Sequence, residues 1–294
     1  MNVLLTGASG LIGKAIKSEL TKQGNTVYPL IRNRHEGPFV YMQENDEIFL
    51  DQSIHLDAII NLAGANISER RWSRKVKEQI VQSRVRTTAT LSTAIANLNR
   101  KPEVYLSASA IGYYGAHSSS ILSESSPAGK DFLAQLAVDW EKATEPAQAA
   151  GIRTCLLRFG LVLSPSGGMV KNLLLPFRLA CVGPIGSGHQ MLSWISLPDT
   201  ISIMKELIKD KKLSGAINLV SGQPASSQEF ARALSKSIKR PALPKIPAVI
   251  VRMMFGEVAD AALLAGAKVS SERVSELGID LQHTDLNQCL NDIM

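Results

Sequence analysis

Residues 7–13 read Gly7-Ala8-Ser9-Gly10-Leu11-Ile12-Gly13, and this stretch decides the fold. It follows a short apolar run, residues 2–6, and leads into residues 14–20, which have helical spacing. A strand, a tight glycine turn and a helix in this order build a site for a dinucleotide pyrophosphate. Gly7 can adopt a turn conformation that a Cβ disfavours, Gly10 lets the backbone approach the phosphates, and Gly13 allows close helix packing. The alternative is an ordinary strand, turn and helix with spare glycines.

Length and composition agree with a cytoplasmic α/β enzyme. The chain has 294 residues, of which 45% are hydrophobic and 20% charged, as in soluble globular proteins. No apolar run is long enough to span a bilayer, and the first residues lack the basic segment of a signal peptide. The three cysteines form no C-x-x-C pair and the five histidines are scattered. We therefore expect reduced thiols and no metal site.

The net charge is +6 at pH 7, and the positive charge is densest along residues 70–86. Apolar residues recur beside these charges at helical steps, which predicts a long amphipathic helix within residues 69–98. Its charged face is either solvated or forms an electropositive entrance that attracts a phosphorylated cofactor or an acidic substrate. No nucleic-acid-binding motif is present, and we expect no nucleic-acid partner.

Strands and helices alternate along the chain. Apolar runs predict strands at residues 26–31, 57–64, 103–109 and 153–160, and helices fill residues 69–98 and 131–150. This order predicts an α/β fold with a Rossmann-type doubly wound parallel sheet. We assign residues 1–165, with elements returning at about 195–235, mainly to the dinucleotide-binding domain. Residues 166–294 form mainly a smaller substrate lid with a C-terminal helical appendage.

Ligands of such sheets bind at the carboxyl ends of the strands. Arg32 follows the second strand, where NAD-specific proteins commonly carry an acidic residue, and an arginine can instead accept a 2′-phosphate. A solvated loop arginine is the alternative, but we predict NADP(H) rather than NAD(H). The cofactor-binding residues that we predict are Gly7, Ser9, Gly10, Leu11, Ile12, Gly13, Arg32, Asn61, Leu62, Ala63, Gly64 and Ser107.

Further motifs narrow the family. The chain resembles the extended short-chain dehydrogenase/reductases, and is similar to their atypical group called NAD(P)-dependent epimerase family proteins, which carry a small C-terminal domain. The resemblance covers nearly the whole chain. Besides the glycine turn and residues 61–64, it lies in Glu69–Trp72, Ser109–Gly115, Asp131–Ala134, Asp139–Glu141, Leu174–Arg178, Gly183–Gly188 and Ser193–Ile195.

The resemblance implies a catalytic tyrosine with a lysine four residues later, whose charge lowers the pKa of the phenol. None of the five tyrosines is followed by a lysine at that spacing. When the predicted helix is aligned on Glu141, Leu133 falls at the position of the tyrosine and Ala137 at that of the lysine. The usual acid–base pair of the family is therefore absent.

Other residues near the same strand end could act in its place. Ser109 matches the serine that binds the substrate oxygen in the extended family, and Tyr113 follows it; we predict both as catalytic. Tyr113 and Tyr114 could equally form a pocket wall, and His117 is either an assisting base or an exposed loop residue. The resemblance further implies that the substrate is contacted by Tyr114, Arg178, Gln190 and Trp194, although Trp194 is equally suited to packing.

Three functions are consistent with the sequence. The first is an NADP(H)-dependent oxidoreductase, or an enzyme similar to a nucleotide-sugar epimerase, acting on a small polar substrate. The second is a pseudoenzyme that senses NADPH or scaffolds a partner, and the third is a purely structural protein, against which the intact glycine turn argues. We expect a small-molecule partner, no membrane association, and a monomer or homodimer.

Overall fold

The computed structural model describes residues 1–32, 37–42, 46–67, 71–116, 120–168, 170–171, 183–221, 223–240 and 244–294. Its strands are β1 (Asn2–Thr6), β2 (Thr26–Pro29), β3 (Ile31–Arg32), β4 (Phe39–Met42), β5 (Glu47–Leu50), β6 (Ala58–Asn61), β7 (Val104–Ala110), β8 (Ile121–Leu122), β9 (Arg153–Phe159), β10 (Leu161–Leu163), β11 (Met191–Leu192), β12 (Trp194–Ser196), β13 (Gly215–Leu219), β14 (Ala225–Ser226) and β15 (Lys268–Val269).

The helices are α1 (Leu11–Lys22), α2 (Arg74–Val81), α3 (Thr87–Ala96), α4 (Phe132–Lys142), α5 (Glu145–Ala149), α6 (Leu197–Lys209), α7 (Ser227–Ser237), α8 (Ala248–Phe255), α9 (Glu272–Glu276) and α10 (Leu286–Ile293). A π-helical segment, Gln82–Arg86, joins α2 to α3, and a 3-10 turn, Ile111–Tyr114, follows β7. None of the helices in the described ranges combines the length and apolar character that a membrane crossing needs.

Six parallel strands form the central sheet in the order β13-β9-β7-β6-β1-β2. Side chains alternate between its two faces, so that Leu5 and Ile60 contact α1 and α6 while Leu4 and Ile59 contact α3 and α5. Both faces are thereby covered, which explains why the strands read as continuous apolar runs. The predicted doubly wound parallel sheet is confirmed.

Two predicted elements are divided in the structure. The strand predicted at 26–31 breaks at Leu30, after Pro29, because proline lacks the N–H that a sheet ladder needs. β2 then pairs with β1, whereas β3 pairs with β4 in a separate three-stranded sheet. The helix predicted at 131–150 is likewise split into α4 and α5, with Pro146 in the first turn of α5.

The C-terminal part packs against the end of the sheet. Helices α7 and α10 enclose an apolar cluster around Trp194, Phe230 and Leu290. Helix α7 begins with a capping box in which Ser226 and Glu229 bond each other's backbone N–H groups. The short strand β15 pairs with β8, which links residues 268–269 to residues 121–122.

Candidate functional site

The glycine turn joins β1 to α1 in the predicted conformation. Gly7 has φ +67°, and a Cβ there would lie 2.7 Å from the carbonyl carbon of Leu62. A Cβ on Gly13 would overlap the carbonyl of Gly7, whose oxygen accepts a 3.0 Å bond from the N–H of Gly10. The backbone therefore crosses itself too closely for any side chain at Gly7 or Gly13. Gly10 caps α1 without a side-chain bond, so the positive end of the helix dipole is open to an anion.

A row of polar side chains crosses the carboxyl ends of three neighbouring strands. Thr6 Oγ1 donates a 2.6 Å bond to Asn61 Oδ1 and accepts the N–H groups of Leu62 and Ala63 at 3.0 Å. Asn61 Nδ2 donates to Thr88 Oγ1 at 2.8 Å. Asn61 and Ser107 are fully buried, so their side chains hold the strand ends in place. Contact of either with a cofactor stays a prediction.

The side chains predicted to bind a 2′-phosphate are accessible. Arg32 ends β3 and is exposed, and Ser9 is exposed in the glycine turn. Leu11 and Ile12 form the first turn of α1, with Leu11 adjacent to Gly167. Arrival of an anionic ligand at Arg32 would require no rearrangement of the packed core.

A cavity of about 410 Å³ opens beside β7 and α4. Its walls are the β7 end and following turn, α4, the β9–β10 junction, β11 with Ser193, and the segment 261–267, completed by Ile67 and Arg84. The described lining residues are Ile67, Arg84, Ser109, Ala110, Ile111, Gly112, Gly115, Asp131, Leu133, Leu136, Ala137, Trp140, Phe159, Gly160, Leu161, Met191, Leu192, Ser193, Ala261, Ala262, Ala265, Gly266 and Ala267. Most of them are apolar or small.

Leu133 and Ala137 both face this cavity. They occupy the α4 positions at which the resemblance implies a tyrosine and a lysine. The described lining contains no tyrosine and no lysine side chain. Whatever chemistry the cavity supports therefore uses other groups.

Ser109 lines the cavity, but its hydroxyl already makes a hydrogen bond behind the cavity wall. Ser109 Oγ donates a 2.6 Å bond to Glu141 Oε1. Arg158, opposite Ser109 on β9, binds the same carboxylate through Nε at 2.7 Å and Nη2 at 2.8 Å. The paired carboxylate holds the pKa of the Arg158 guanidinium above its usual value. Ser109 thus lies between the cavity and a buried ion pair.

The two tyrosines that follow β7 pack away from the cavity. The ring of Tyr113 lies over the Arg158 guanidinium, with Cζ 3.4 Å from the ring centroid. Tyr114 is 6% exposed, and its hydroxyl donates to Asn218 Oδ1 at 2.7 Å and accepts from Arg158 Nη1 at 2.9 Å. Neither residue is among the described lining residues. Tyr113 therefore stacks on Arg158 and Tyr114 hydrogen-bonds to it, while the catalytic role of Tyr113 and the substrate contact of Tyr114 stay predictions.

Gln190 and Trp194, two of the residues predicted to contact the substrate, are not among the described lining residues of the cavity. Trp194 is fully buried in the cluster with α7 and α10, because its strand β12 lies beneath these helices. This agrees with the packing alternative, and its contact with a substrate stays a prediction. Gln190 Nε2 donates to the carbonyls of Ile185 and Leu263 at 2.9 and 3.2 Å, and so ties a loop to the C-terminal part. Arg178 and His117 lie outside the described residues.

Arg84 lines the cavity, although it was not among the predicted site residues. It lies in the π-helical segment, with its Cζ 5.1 Å from the centroid of the Trp140 ring. The basic stretch 70–86 was interpreted as either a solvated charged face or an electropositive entrance, and Arg84, one of its residues, lines the cavity. The sequence offered one signal that Arg84 is partly buried, which is its position among the apolar residues of the same helix.

The C-terminal wall of the cavity was not predicted from the sequence either. Ser193 Oγ donates to the Ala267 carbonyl and accepts the N–H of Val269, both at 2.9 Å. A Cβ on Gly266 would lie 2.8 Å from the Met191 carbonyl oxygen, so this segment packs directly on β11. The small residues of 261–267 were a signal of close packing. Within the described ranges no group of histidine, cysteine and carboxylate side chains could hold a metal ion.

Comparisons with known proteins identify the family. The model of the NAD dependent epimerase/dehydratase family matches residues 3–219, and a domain of unknown function, DUF1731, matches residues 246–293. An epimerase family protein of Mycobacterium bovis is 37% identical over 290 residues, which cover 98% of this chain and 96% of the relative. The human epimerase family protein SDR39U1 is 32% identical over the full length of both chains.

Solved structures agree with this assignment. The crystal structure of human SDR39U1 (isoform 2) with NADPH has a TM-score of 0.90 at 30% identity, and the match covers 100% of this chain and 99% of that one. A UDP-glucuronic acid 4-epimerase from Bacillus cereus, at 17% identity and a TM-score of 0.73, shares the fold. The glycine turn, the six-stranded sheet and these matches lead to one conclusion: the chain belongs to the NAD dependent epimerase/dehydratase family.

Proposed function

We propose that this protein binds NADP(H) and transfers hydride between the cofactor and a small molecule with a largely apolar body. The observation that carries the proposal is the glycine turn, where no side chain fits at Gly7 or Gly13 and the start of α1 is open to a pyrophosphate. The related human protein was solved with NADPH. Arg32, exposed at the end of β3, supports NADP(H) over NAD(H) because a guanidinium pairs well with a 2′-phosphate.

Each part of the site has a distinct task in this proposal. The glycine turn and the first turn of α1 bind the pyrophosphate, and Arg32 with Ser9 binds the 2′-phosphate. NADPH, when bound, would supply the hydride and become NADP+. The apolar cavity orients the substrate, while Ser109 is the hydroxyl that bonds the substrate oxygen after turning from Glu141. The alkoxide formed by hydride addition takes its proton from water at the mouth of the cavity, because the described lining contains no tyrosine or lysine to donate one. Tyr113 is the second catalytic prediction, and its stacking on Arg158 favours Ser109 over it.

The cavity lining restricts the substrate. Leu133, Leu136, Leu161 and Leu192, with the small residues of 261–267, offer few hydrogen-bonding groups. A nucleotide sugar would leave most of its hydroxyl groups unpaired there, at a cost of about 1–3 kcal/mol for each buried group. The proposed substrate is therefore a compact carbonyl compound, less polar than the sequence suggested.

A cofactor-binding pseudoenzyme is the second candidate, and the observation that favours it is the pair Leu133 and Ala137 on the cavity wall. In that case NADPH binding itself would be the signal. For either candidate we propose a cytoplasmic monomer or homodimer with a small-molecule partner and no nucleic-acid partner.

The proposal is tested by titration of the purified protein with NADPH and NADH, followed by nicotinamide fluorescence. Selective binding of NADPH, lost in Gly10→Asp, is the expected result, because a carboxylate beside the turn repels phosphate. No binding of either nucleotide would contradict the proposal. A screen of apolar aldehydes and ketones against the NADPH complex then separates the candidates, because turnover supports the oxidoreductase and its absence supports the sensor.

A further inference from the structure

Helix α8 presents an apolar surface to solvent, which we call the α8 ridge. Val249 and Met253 are 62% and 70% exposed, and in the neighbouring row Ile250 and Met254 are 46% and 62% exposed. Each row covers one helical turn, because side chains four residues apart lie on the same face of a helix. The buried residue of α8 is Val251. Contiguous exposed apolar patches of more than a few hundred Å² mark contact sites on soluble proteins.

The ridge is fixed to the rest of the molecule. Arg252 binds the carboxylate of Asp260 through Nε at 3.0 Å and Nη2 at 2.9 Å. At the end of the helix, Arg71 Nε donates a 3.1 Å bond to the carbonyl of Met254. Because these contacts hold the ridge in place before a partner arrives, little binding free energy is lost in ordering it.

A pocket of about 610 Å³ opens next to the ridge. Trp72 and Phe132 meet edge to face in its wall, with their ring centroids 5.1 Å apart, and Val81 adds apolar surface. Lys77 Nζ lies 4.9 Å from the centroid of the Phe132 ring and pairs with Glu257 at 2.6 Å. Glu257 lines the pocket and comes two residues after the end of α8. The ridge and the pocket are therefore adjoining parts of one surface.

The ion pairs around this surface favour a second copy of the chain as its partner. Three pairs border it: Arg252–Asp260, Lys77–Glu257 and Arg74–Glu78. Each pair is neutral as a whole, whereas a helix that binds an anionic membrane presents unpaired basic side chains beside its apolar face. Two copies of the surface match each other, because paired charges of both signs can exchange partners across a two-fold axis without contacts between like charges.

The shape and size of the surface also suit a second copy. A two-fold axis brings the same surface of two protomers together, so that the ridge of each can enter the pocket of the other. Methionine side chains fit such a contact because they adapt to irregular gaps. Of the about 800 Å² that a standard interface buries on each partner, the ridge supplies roughly half, and the pocket beside it adds the remainder.

We propose that the α8 ridge and the adjoining pocket form the interface of a homodimer. The two protomers are related by a two-fold axis, and Met253 and Met254 of each lie in the pocket of the other. The dimer does not depend on a cofactor or on turnover, so its test is independent of the proposed function.

Sedimentation velocity over about 0.1–100 µM tests the dimer. The wild type should change from monomer to dimer as the concentration rises, and Met253→Glu should raise the dissociation constant about 30-fold or more, because it places a charge in the apolar contact. Phe49→Glu is the matched control, since Phe49 is an apolar side chain of β5 that is 60% exposed, and it should leave association unchanged. A wild type that stays monomeric at the highest concentration overturns the proposal.

Thermal unfolding verifies that each variant is folded, and Val249→Glu repeats the test one turn earlier on the ridge in case Met253→Glu is not. A dimer that folded ridge variants leave intact, or that Phe49→Glu weakens equally, overturns the proposal. Flotation with vesicles of phosphatidylserine and phosphatidylcholine tests the other occupant. Binding of the wild type to these vesicles that Met253→Glu abolishes would assign the ridge to a membrane and also overturn it.

Disulfide cross-linking tests the arrangement of the two protomers. Met254→Cys on the ridge and Val81→Cys in the pocket are prepared as separate proteins, mixed and mildly oxidised. A mixed disulfide between the two variants supports the ridge-in-pocket contact, and Phe49→Cys mixed with Val81→Cys should form none. A dimer in which Met254→Cys cross-links only to itself would show ridge-to-ridge packing and contradict the proposed arrangement.

Discussion

Arg158 and Glu141 form a buried two-pronged ion pair, with Nε–Oε1 and Nη2–Oε2 distances of 2.7 and 2.8 Å. The pair connects β9 to α4 and lies directly behind Ser109, whose hydroxyl shares the carboxylate. Tyr113 stacks on the free face of the guanidinium. The geometry of the cavity wall thus depends on one buried electrostatic contact.

Loss of one partner from this pair should destabilise the fold strongly. Arg158→Met leaves Glu141 charged and buried, and we expect the free energy of unfolding to fall by about 3–5 kcal/mol. Urea denaturation measures the change. The exposed pair Arg74–Glu78 is the control, since Arg74→Met should cost less than about 1 kcal/mol. Equal effects of the two substitutions would refute this account of the buried pair.

Gly13→Ala should abolish cofactor binding. Its Cβ would overlap the carbonyl of Gly7, so the turn must open and lose its phosphate-binding shape. The control is Gly24→Ala, at φ +79° with open space around it, which should cost about 1–2 kcal/mol of stability and leave NADPH affinity unchanged. Fluorescence titration and thermal unfolding separate the two effects; NADPH affinity retained in Gly13→Ala would be inconsistent with the proposed site.

Arg32→Ala should remove the preference for NADPH. A charge-assisted hydrogen bond contributes about 1.5–3 kcal/mol, so we expect NADPH to bind about 10- to 150-fold more weakly while NADH affinity stays the same. Lys22→Ala, at the far end of α1, serves as the control for a general loss of positive charge. A parallel loss for both nucleotides would argue against a 2′-phosphate contact.

Cys155 and Cys289 should resist alkylation in the folded protein. Burial raises the pKa of the two thiols to about 11 and about 12, so little thiolate forms at pH 8. Mass spectrometry after iodoacetamide treatment should find both unmodified, and both modified in guanidinium chloride. The folded state retains these protons after the unfolded chain has lost them, so stability should fall as the pH rises from about 8.5 towards 11–12. Labelling of either thiol at pH 8 in the folded state would contradict this prediction.

Ser193→Ala should loosen the C-terminal wall of the cavity. It removes the acceptor of the Val269 N–H and the donor to the Ala267 carbonyl, at a cost of about 1–3 kcal/mol. Hydrogen exchange should become faster at residues 267–269. Ser226→Ala, which removes the cap of α7, should lower stability by about 1 kcal/mol without this local effect; unchanged exchange at Val269 would exclude the anchoring role of Ser193.

The elements that the sequence predicts well are those governed by local patterns. The glycine turn and the parallel strands depend on residues close together in the chain, and the structure has both. The run predicted as one strand at 26–31 breaks after Pro29, because proline lacks the N–H that the sheet ladder needs. The predicted strand boundaries differ from the observed ones by only a few residues. The strand predicted at 57–64, for example, is β6 (Ala58–Asn61) in the structure.

The cavity was less predictable because long-range contacts build it. Trp194 resembles a cleft residue in its motif, yet α7 and α10, which follow later in the chain, bury it. Arg84 belongs to a basic stretch whose pattern is consistent with either a solvated face or an electropositive entrance, and the π-helical segment places it in the cavity wall. Tyr113 follows a promising serine, but the position of its ring depends on Arg158, which lies 45 residues further along the chain. The local pattern and spacing of residues contain no information on which residues far apart in the chain contact each other.

The wall formed by residues 261–267 has an evolutionary consequence. The glycine turn lies near one end of the chain, while this part of the cavity lining comes from the other and is held to the backbone of Met191 in β11 and to the side chain of Ser193. Mutations or recombination in the C-terminal segment can therefore change what is accommodated beside the dinucleotide and leave the dinucleotide's own contacts intact. Selection can therefore diversify the specificity for the substrate while the specificity for the dinucleotide is inherited unchanged. Exchange of this segment between homologues is a direct route to new substrate specificities.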